Sequence, residues 1–213
     1  MGGMMKEYGK IDTLFSRDEK FRVTNQLRNP VIAEIRRWVV TEKVDGTNIR
    51  VCLTADDEVR IGGRTDKAQI PADLAEYLYR EFTPEKMKAL RLSDDSDEIC
   101  LYGEGYGAGI QKGGGDYRKD KGFILFDVRV NDKWWLSDDA VTDIAAKLDI
   151  PRVPILGTWD LDTIVSNVRA GMPSLVAESE RMSEGIVARP LMPLYDHRGN
   201  RLIIKLKTHD FHI

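Results

Sequence analysis

Trp38-Val39-Val40-Thr41-Glu42-Lys43-Val44 is rich in β-branched and aromatic residues, Asp45-Gly46 supplies a turn, and strand character resumes over Ile49-Arg50-Val51-Cys52-Leu53. This stretch predicts two strands with Lys43 near a strand end. Downstream, Pro71 to Leu92 carries Leu74, Leu78 and Phe82 at helical spacing. Thr83-Pro84-Glu85 then supplies an N-cap, a helix-starting proline and a first-turn acid, so two helices are expected there. The short apolar runs Ile99 to Tyr102 and Phe123 to Val130 read as buried strands. Ser137 caps a helix with Asp138 and Asp139 in its first turn and Val141, Ile144, Ala145 and Leu148 on one face; another helix is expected from Leu161 to Arg169. The tail returns to strand over Gly185 to Arg189 and Leu202 to Lys207, with a turn near Asp196 to Asn200. Strands and helices alternate without βαβ regularity. The expectation is an α+β fold, mainly antiparallel sheets with helices packed outside, in one domain spanning residues 1–213.

The chain has 213 residues, 42% of them hydrophobic and 31% charged, enough for a substantial core. A net charge of -3, from 32 basic and 35 acidic residues, does not announce a nucleic-acid or membrane-surface binder, so any basic surface must be local. Cys52 and Cys100 lie in apolar, strand-like contexts without a disulfide framework or metal spacing, and reduced, buried thiols are expected. The N-terminus lacks a secretory apolar region, and no run approaches the roughly 20 apolar residues that span a bilayer; a cytoplasmic protein without a membrane partner is expected. Gly2 invites a myristoylation reading, but Lys6 stands where that motif wants Ser or Thr. Trp134 and Trp135 read as packing residues.

The glycine-rich stretch from Gly103 to Gly115 fits no familiar phosphate loop. Gly103-Glu104-Gly105-Tyr106-Gly107-Ala108 satisfies G-x-G-x-x-[GA] in form, but more glycine and charge follow it instead of a helix, and no G-x-x-x-x-G-K-[ST] occurs. His197, His209 and His212 are not spaced as zinc ligands. Lys43-Val44-Asp45-Gly46-Thr47-Asn48 is a better candidate, although alone it reads first as a surface lysine before a hairpin turn. A lysine nucleophile needs nearby positive charge or desolvation, because its unperturbed pKa is about 10.4. Lys205 and Lys207, at i and i+2 of an alternating strand, share one face and supply such charge. Attack on a nucleoside triphosphate also calls for a divalent cation held by carboxylate oxygen. Glu184, opening a tail strand, and Glu104, between two glycines that let a ligand approach the backbone, are the candidates. Phe123 offers either a core ring or a face for a purine.

In this order the pieces resemble the motifs of the ligase and capping-enzyme superfamily of covalent nucleotidyltransferases, and most closely its ATP-dependent RNA ligase branch of phage and kinetoplastid editing enzymes. Lys43 to Asn48 resembles motif I and Tyr102-Gly103-Glu104-Gly105 motif III. Phe123-Ile124-Leu125-Phe126-Asp127 resembles motif IIIa, Ser183-Glu184-Gly185-Ile186-Val187 motif IV, and Ile204-Lys205-Leu206-Lys207 motif V. Gly63-Arg64 falls where the family has its ribose-contacting arginine. The resemblance implies an ATP-grasp-like adenylation domain working with ATP and Mg2+ or Mn2+. Its pathway is AMP attachment to Lys43, transfer to an RNA 5′-phosphate, and sealing to a 3′-hydroxyl, on separate strands or a nicked duplex. It further implies that Glu104 and Arg64 hold the ribose, Phe123 stacks on adenine, and Glu42 and Asn48 line the nucleotide. By the same resemblance, Glu184 orients the metal, while Lys205 and Lys207 grip the α-phosphate and depress the pKa of Lys43.

Asp45 stands where the closest branch often has His, and matches DNA ligases and capping enzymes instead. A DNA ligase core, a capping guanylyltransferase core and a partner-dependent nucleotide-binding module therefore stay open. Only Thr208 to Ile213 follow Lys207, which leaves no room for a C-terminal OB-fold. The expectation is a minimal core whose grip on RNA is weak or supplied by a protein partner, with Lys112, Arg118, Lys119 and Lys121 as local candidates for contact.

Overall fold

The structure, a computed structural model, describes residues 5–91 and 97–211. Its strands are β1 (Asp12–Thr13), β2 (Phe15–Arg17), β3 (Val23–Leu27), β4 (Trp38–Lys43), β5 (Thr47–Leu53), β6 (Val59–Gly63), β7 (Ile99–Gly107), β8 (Lys121–Val130), β9 (Trp134–Trp135), β10 (Ile155–Trp159), β11 (Gly185–Pro190) and β12 (Ile204–Lys207). The α-helices are α1 (Ala72–Glu81), α2 (Pro84–Lys88), α3 (Gly114–Tyr117), α4 (Asp138–Leu148) and α5 (Leu161–Ala170). This is the α+β architecture expected, with sheets antiparallel except where β1 runs parallel to β12. Leu92, Gly2 and His212 lie outside the described residues.

The chain divides into two compact units, Met1–Tyr8 with Asp45–Arg152, and Gly9–Val44 with Val153–Ile213. In the first, the sheet order is β6-β5-β7-β8-β9. One face of that sheet is apolar because alternate residues point to it, and Ile49, Val51, Leu53, Leu101, Phe123 and Leu125 are all buried there. The two expected helices α1 and α2 form, Thr83 Oγ1 accepting from the Lys86 N–H at the start of α2. Leu74 and Leu78 bury the inner face of α1, each contributing about 1.5–3 kcal/mol. Ser137 caps α4 as its sequence requires, through the Ala140 N–H.

The other face is partly covered by residues 5–8. Arg50, fully buried, donates from Nη1 to Met5 O at 2.5 Å, from Nε to Gly63 O at 2.7 Å and from Nη2 to Asp66 at 2.9 Å. Tyr102 donates to Lys6 O, and Tyr8 to Asp127 Oδ2 at 2.9 Å. Burial pushes the Tyr102 phenol up to about 12.

Three expectations are corrected in this unit. The strand beginning at Ile99 does not stop at Tyr102 but runs through the glycines to Gly107, because β5 and β8 pair with it on both sides. A Cβ on Gly105 would meet Leu74 Cδ2 at 2.6 Å, so the glycine lets α1 close on the sheet. Cys52 and Cys100 are not separate thiols: they are direct cross-strand partners and are disulfide-bonded. Trp135 packs against Tyr8 and Tyr102, whereas Trp134 is 60% exposed with Lys133 over its ring.

In the second unit the order is β1-β12-β11-β4-β10. Trp38, Val40, Ile186, Ala188, Ile204 and Leu206 fill a core with Ile164 and Val168 of α5, which Asp160 caps through the Thr163 N–H. Leaving one face of β4, β11 and β12 to this core commits Lys43, Gly185, Lys205 and Lys207 to the opposite face.

Candidate active site

In the second unit, the register sets Gly185 of β11 opposite Lys43 of β4 on one side and opposite Lys207 of β12 on the other. The two lysines therefore stand on one sheet face with a residue lacking a side chain between them. Glu184, just before β11, fills that gap: its Oε2 lies 2.5 Å from Lys43 Nζ and its Oε1 2.6 Å from Lys207 Nζ. The side chains of the three are 21%, 13% and 29% exposed, so this two-ammonium, one-carboxylate cluster is poorly screened by water. Gly185 has φ +151, and a Cβ there would meet Leu206 O at 2.1 Å. Lys205 stands one alternation back along β12, opposite Val187.

Glu42 precedes Lys43 and so points to the other face, where it is 2% exposed. Its carboxylate accepts from the Ser174 hydroxyl and, at 2.8 Å, from the Leu175 N–H. The structure thus does not bring Glu42 to the Lys43 face; its side chain fixes the segment that follows α5.

In the first unit, Asn48 of β5 and Glu104 of β7 are direct cross-strand partners, and Arg64 follows the end of β6, exposed. Asn48 Oδ1 is buried and has no hydrogen-bond partner among the described residues, an arrangement that costs about 1–3 kcal/mol unless something donates to it. The turn that follows Lys43 is fixed by the glycine-rich segment: Tyr117 Oη accepts from the Asp45 N–H at 3.2 Å, and Gln111 Nε2 donates to Gly46 O at 3.0 Å. A Cβ on Gly46 would meet Gly105 O at 2.3 Å and Glu104 Cγ at 2.8 Å, so only glycine sits that close to β7. Tyr117 and Gln111, which sequence reasoning did not single out, hold this turn, and no local signal marks them.

Phe123 is a correction. It pairs with Gly105, one residue out of step with the Asn48–Glu104 row, and so belongs to the opposite, core face. There it is fully buried, edge-on to Phe82 at 5.1 Å, with its ring filling the space above Gly103. The residue beside Glu104 on β8 is Ile124, buried yet outside both core clusters.

The cations after the glycines are largely committed. Arg118 makes a two-pronged pair with Asp120, which holds that carboxyl below its usual range. Lys119 donates to Gly115 O, and Lys121 bonds Ala108 O and pairs with Asp73 at 2.9 Å. Lys112 is exposed.

Among the described residues no three His, Cys, Asp or Glu gather as a metal-binding group. The carboxylate of Glu184 nonetheless suits a hard cation that takes most of its remaining ligands from phosphate and water, the usual condition of Mg2+.

A family model described as RNA ligase matches residues 36–207. The chain is also similar to solved structures of a Naegleria gruberi RNA ligase. One, with PPi, has a TM-score of 0.66 at 25% identity. A lysine-to-alanine variant with ATP and Mn gives 0.65 at 24%, and a glutamate-to-alanine variant with AMP and Mn gives 0.66 at 24%. Each match covers 99% of this chain and 60% of that one, so the chain spans about three-fifths of the length of the protein it resembles.

Proposed function

Because the chain belongs to the RNA ligase family, we propose that it is the catalytic core of an ATP-dependent RNA ligase, with Lys43 as the nucleophile. The observation that carries this reading is the shared carboxylate, Glu184, with Lys43 on one oxygen and Lys207 on the other. An amine that holds a proton against a carboxylate has no lone pair to offer. Glu184 Oε2, 2.5 Å away, positions that ammonium, and the proton must pass to water before the amine can attack.

Relieved of its proton, Lys43 Nζ forms a bond to the α-phosphorus of ATP as the bond from that phosphorus to the bridging oxygen breaks. Pyrophosphate leaves with the electron pair. Lys207 and Lys205, positive and on the same face, hold the α-phosphate as its charge shifts. The 5′-phosphate of one RNA strand then takes AMP from Lys43, and the 3′-hydroxyl of a second attacks that phosphate and releases AMP. Glu184 would hold a divalent ion, Mg2+ or Mn2+, which when bound would neutralise phosphate charge.

In the first unit, Asn48 and Glu104 present a buried acceptor and a carboxylate from one face, and Arg64 adds a guanidinium beyond β6. These groups suit the hydroxyls of a ribose and the polar edge of a nucleotide, and a donor from the ligand would meet the unmet need of Asn48 Oδ1. Ile124, rather than Phe123, is the apolar neighbour on that face. Glu42 acts indirectly, by holding the Ser174–Leu175 segment. On this reading residues 1–213 serve as one adenylation domain.

The test is to mix the protein with α-labelled ATP or GTP and magnesium, denature it, and ask whether label remains. Acid-labile labelling by ATP that disappears in Lys43→Ala supports the reading. Labelling by GTP alone would move the chain to capping chemistry, and undiminished labelling of Lys43→Ala would remove Lys43 from its role.

A further inference from the structure

Glu184 and Lys207 stand where their strands end, Glu184 one residue before β11 and Lys207 at the last position of β12. Strand ends fray unless their main-chain groups find partners, so the bonds that hold these two residues repay tracing one by one. Three of them come from the single 3-10 turn that follows β12, Thr208–Asp210.

On the β11 edge the holder is Thr208. Its N–H donates to Glu184 O at 2.9 Å, which carries the antiparallel ladder one step beyond the Gly185–Lys207 pair. Its hydroxyl donates to Ser183 O at 3.1 Å, a bond that no ladder supplies. One residue thus grips the carbonyls of both peptide groups that flank the Glu184 Cα, and so fixes the point from which the carboxylate reaches out.

On the other edge the holder is Asp210. Main-chain groups alternate from edge to edge along a strand, so the Lys207 N–H points away from β11, toward β1. In a continued parallel ladder its acceptor would be Leu14 O, because the Leu14 N–H already donates to Lys205 O at 3.0 Å. Leu14 O instead accepts from the Arg28 N–H at 2.9 Å, and Asp210 Oδ2 takes the Lys207 N–H at 3.1 Å. The Asp210 side chain is 1% exposed, and its other oxygen pairs with Arg17 Nη2 at 2.6 Å. Arg17 is fixed in turn by a 2.7 Å bond from Nη1 to Phe21 O. His209, largely exposed and 3.6 Å from Asp210 Oδ1, lies beyond hydrogen-bond range. A carboxylate shared between a guanidinium and a main-chain N–H makes charge-assisted bonds, roughly twice as strong as neutral ones.

We propose that Thr208 and Asp210 are positioning residues for the Lys43 face. They fasten the main chain of Glu184 and Lys207 from two edges, so that the carboxylate and the second ammonium hold their places when ATP enters. Each acts through Glu184 or Lys207 and not on the reacting atoms. The effect on rate rests on the proposed ligase reading; the clamp itself does not.

The test is single-turnover labelling with saturating α-labelled ATP, which separates the rate constant of the folded protein from the fraction that takes label. Thr208→Val keeps the side-chain shape and the main-chain N–H and removes only the hydroxyl bond to Ser183 O. Its rate constant should fall about tenfold, and that of Asp210→Ala about tenfold to 100-fold. Thr208→Ser restores the hydroxyl and should recover most of the loss. A turn needed only for stability would lower the labelled fraction and the melting temperature and leave the rate constant alone; that outcome in Thr208→Val overturns the inference, whether or not Asp210→Ala folds. Hydrogen exchange reads the clamp without ATP: the Lys207 amide should exchange about tenfold faster in Asp210→Ala, and the Thr208 amide faster in Thr208→Val, than in the parent. Should the parent take no label, the ligase chemistry fails, while exchange still decides the clamp, and unchanged protection at both amides overturns it.

Discussion

Gly185→Ala tests the arrangement of the Lys43 face most directly, because it adds one methyl group and removes no functional atom. The added Cβ would lie 2.1 Å from Leu206 O and 2.7 Å from Lys207 Cα, and both obstacles are backbone. Restoring ordinary contact requires β12 to retreat from β11 by about 1 Å, and the residue that must retreat carries Lys207. A displacement of about 1 Å in a positioned group lowers rates by about 100-fold. The positive φ of Gly185 adds about 1–3 kcal/mol of backbone strain, which lowers the melting temperature by about 2–12 °C in a chain of this size. Single-turnover labelling with α-labelled ATP, below the melting range of the variant, reads the first effect and a thermal melt the second. Gly9→Ala is the control, since nothing lies within 4 Å of its Cβ position. A Gly185→Ala protein that labels at the parental rate would refute the reasoning, for it would mean that the spacing of Lys43, Glu184 and Lys207 does not govern the reaction.

Asn48→Ala should cost less than about 1 kcal/mol of stability, since its buried Oδ1 makes no hydrogen bond to lose, yet slow labelling by ATP; a large fall in melting temperature with normal labelling would reverse that assignment. Arg50→Met should destabilise by about 2–3 kcal/mol through three lost charge-assisted bonds and expose residues 5–8 to protease, as limited proteolysis would show. Lys88 and Arg91 beside Asp57 hold its carboxyl below the usual range. A depressed folded-state pKa gives stability that is present above about pH 4 and lost as the pH falls through the folded value. Asp57→Asn should therefore melt below the parent at pH 6, and the gap should close on acidification below about pH 4 and narrow in high salt.

The parts of this fold carried by local chemistry were legible in the sequence. The caps at Thr83 and Ser137, the apolar faces of α1 and α4, and the alternation that sets Lys205 and Lys207 on one face needed only neighbouring residues. Pairing was not legible, because register depends on strands far apart in the chain. Phe123 and Ile124 differ by one position, and with period two that difference decides which faces the helices and which stands beside Glu104. Cys52 and Cys100 became partners for the same reason. The glycines of β7 read as a break because their neighbours Phe123 and Leu74, which fill the missing side-chain volume, cannot be seen from within the run. Arg118 and Lys121 drew attention by their charge, which the nearby carboxylates of Asp120 and Asp73 absorb.

The discontinuity of the two units bears on how the protein is made. β4 pairs with β10 and β11, both synthesised after residue 154, whereas the unit built mainly from Asp45–Arg152 can assemble its sheet earlier. At about 5–20 residues per second, Trp38-Val39-Val40 waits for its β10 partners on the order of 6–24 s with both hydrogen-bonding edges unfilled, and longer for β11 on the second edge. Such a strand invites pairing with other nascent chains, and the wait adds a nonlocal, slow step to folding. The geometry that sets Lys43 beside Gly185 is thus among the last to form, and yield on expression should depend on the pace of translation and on chaperones that shield this strand.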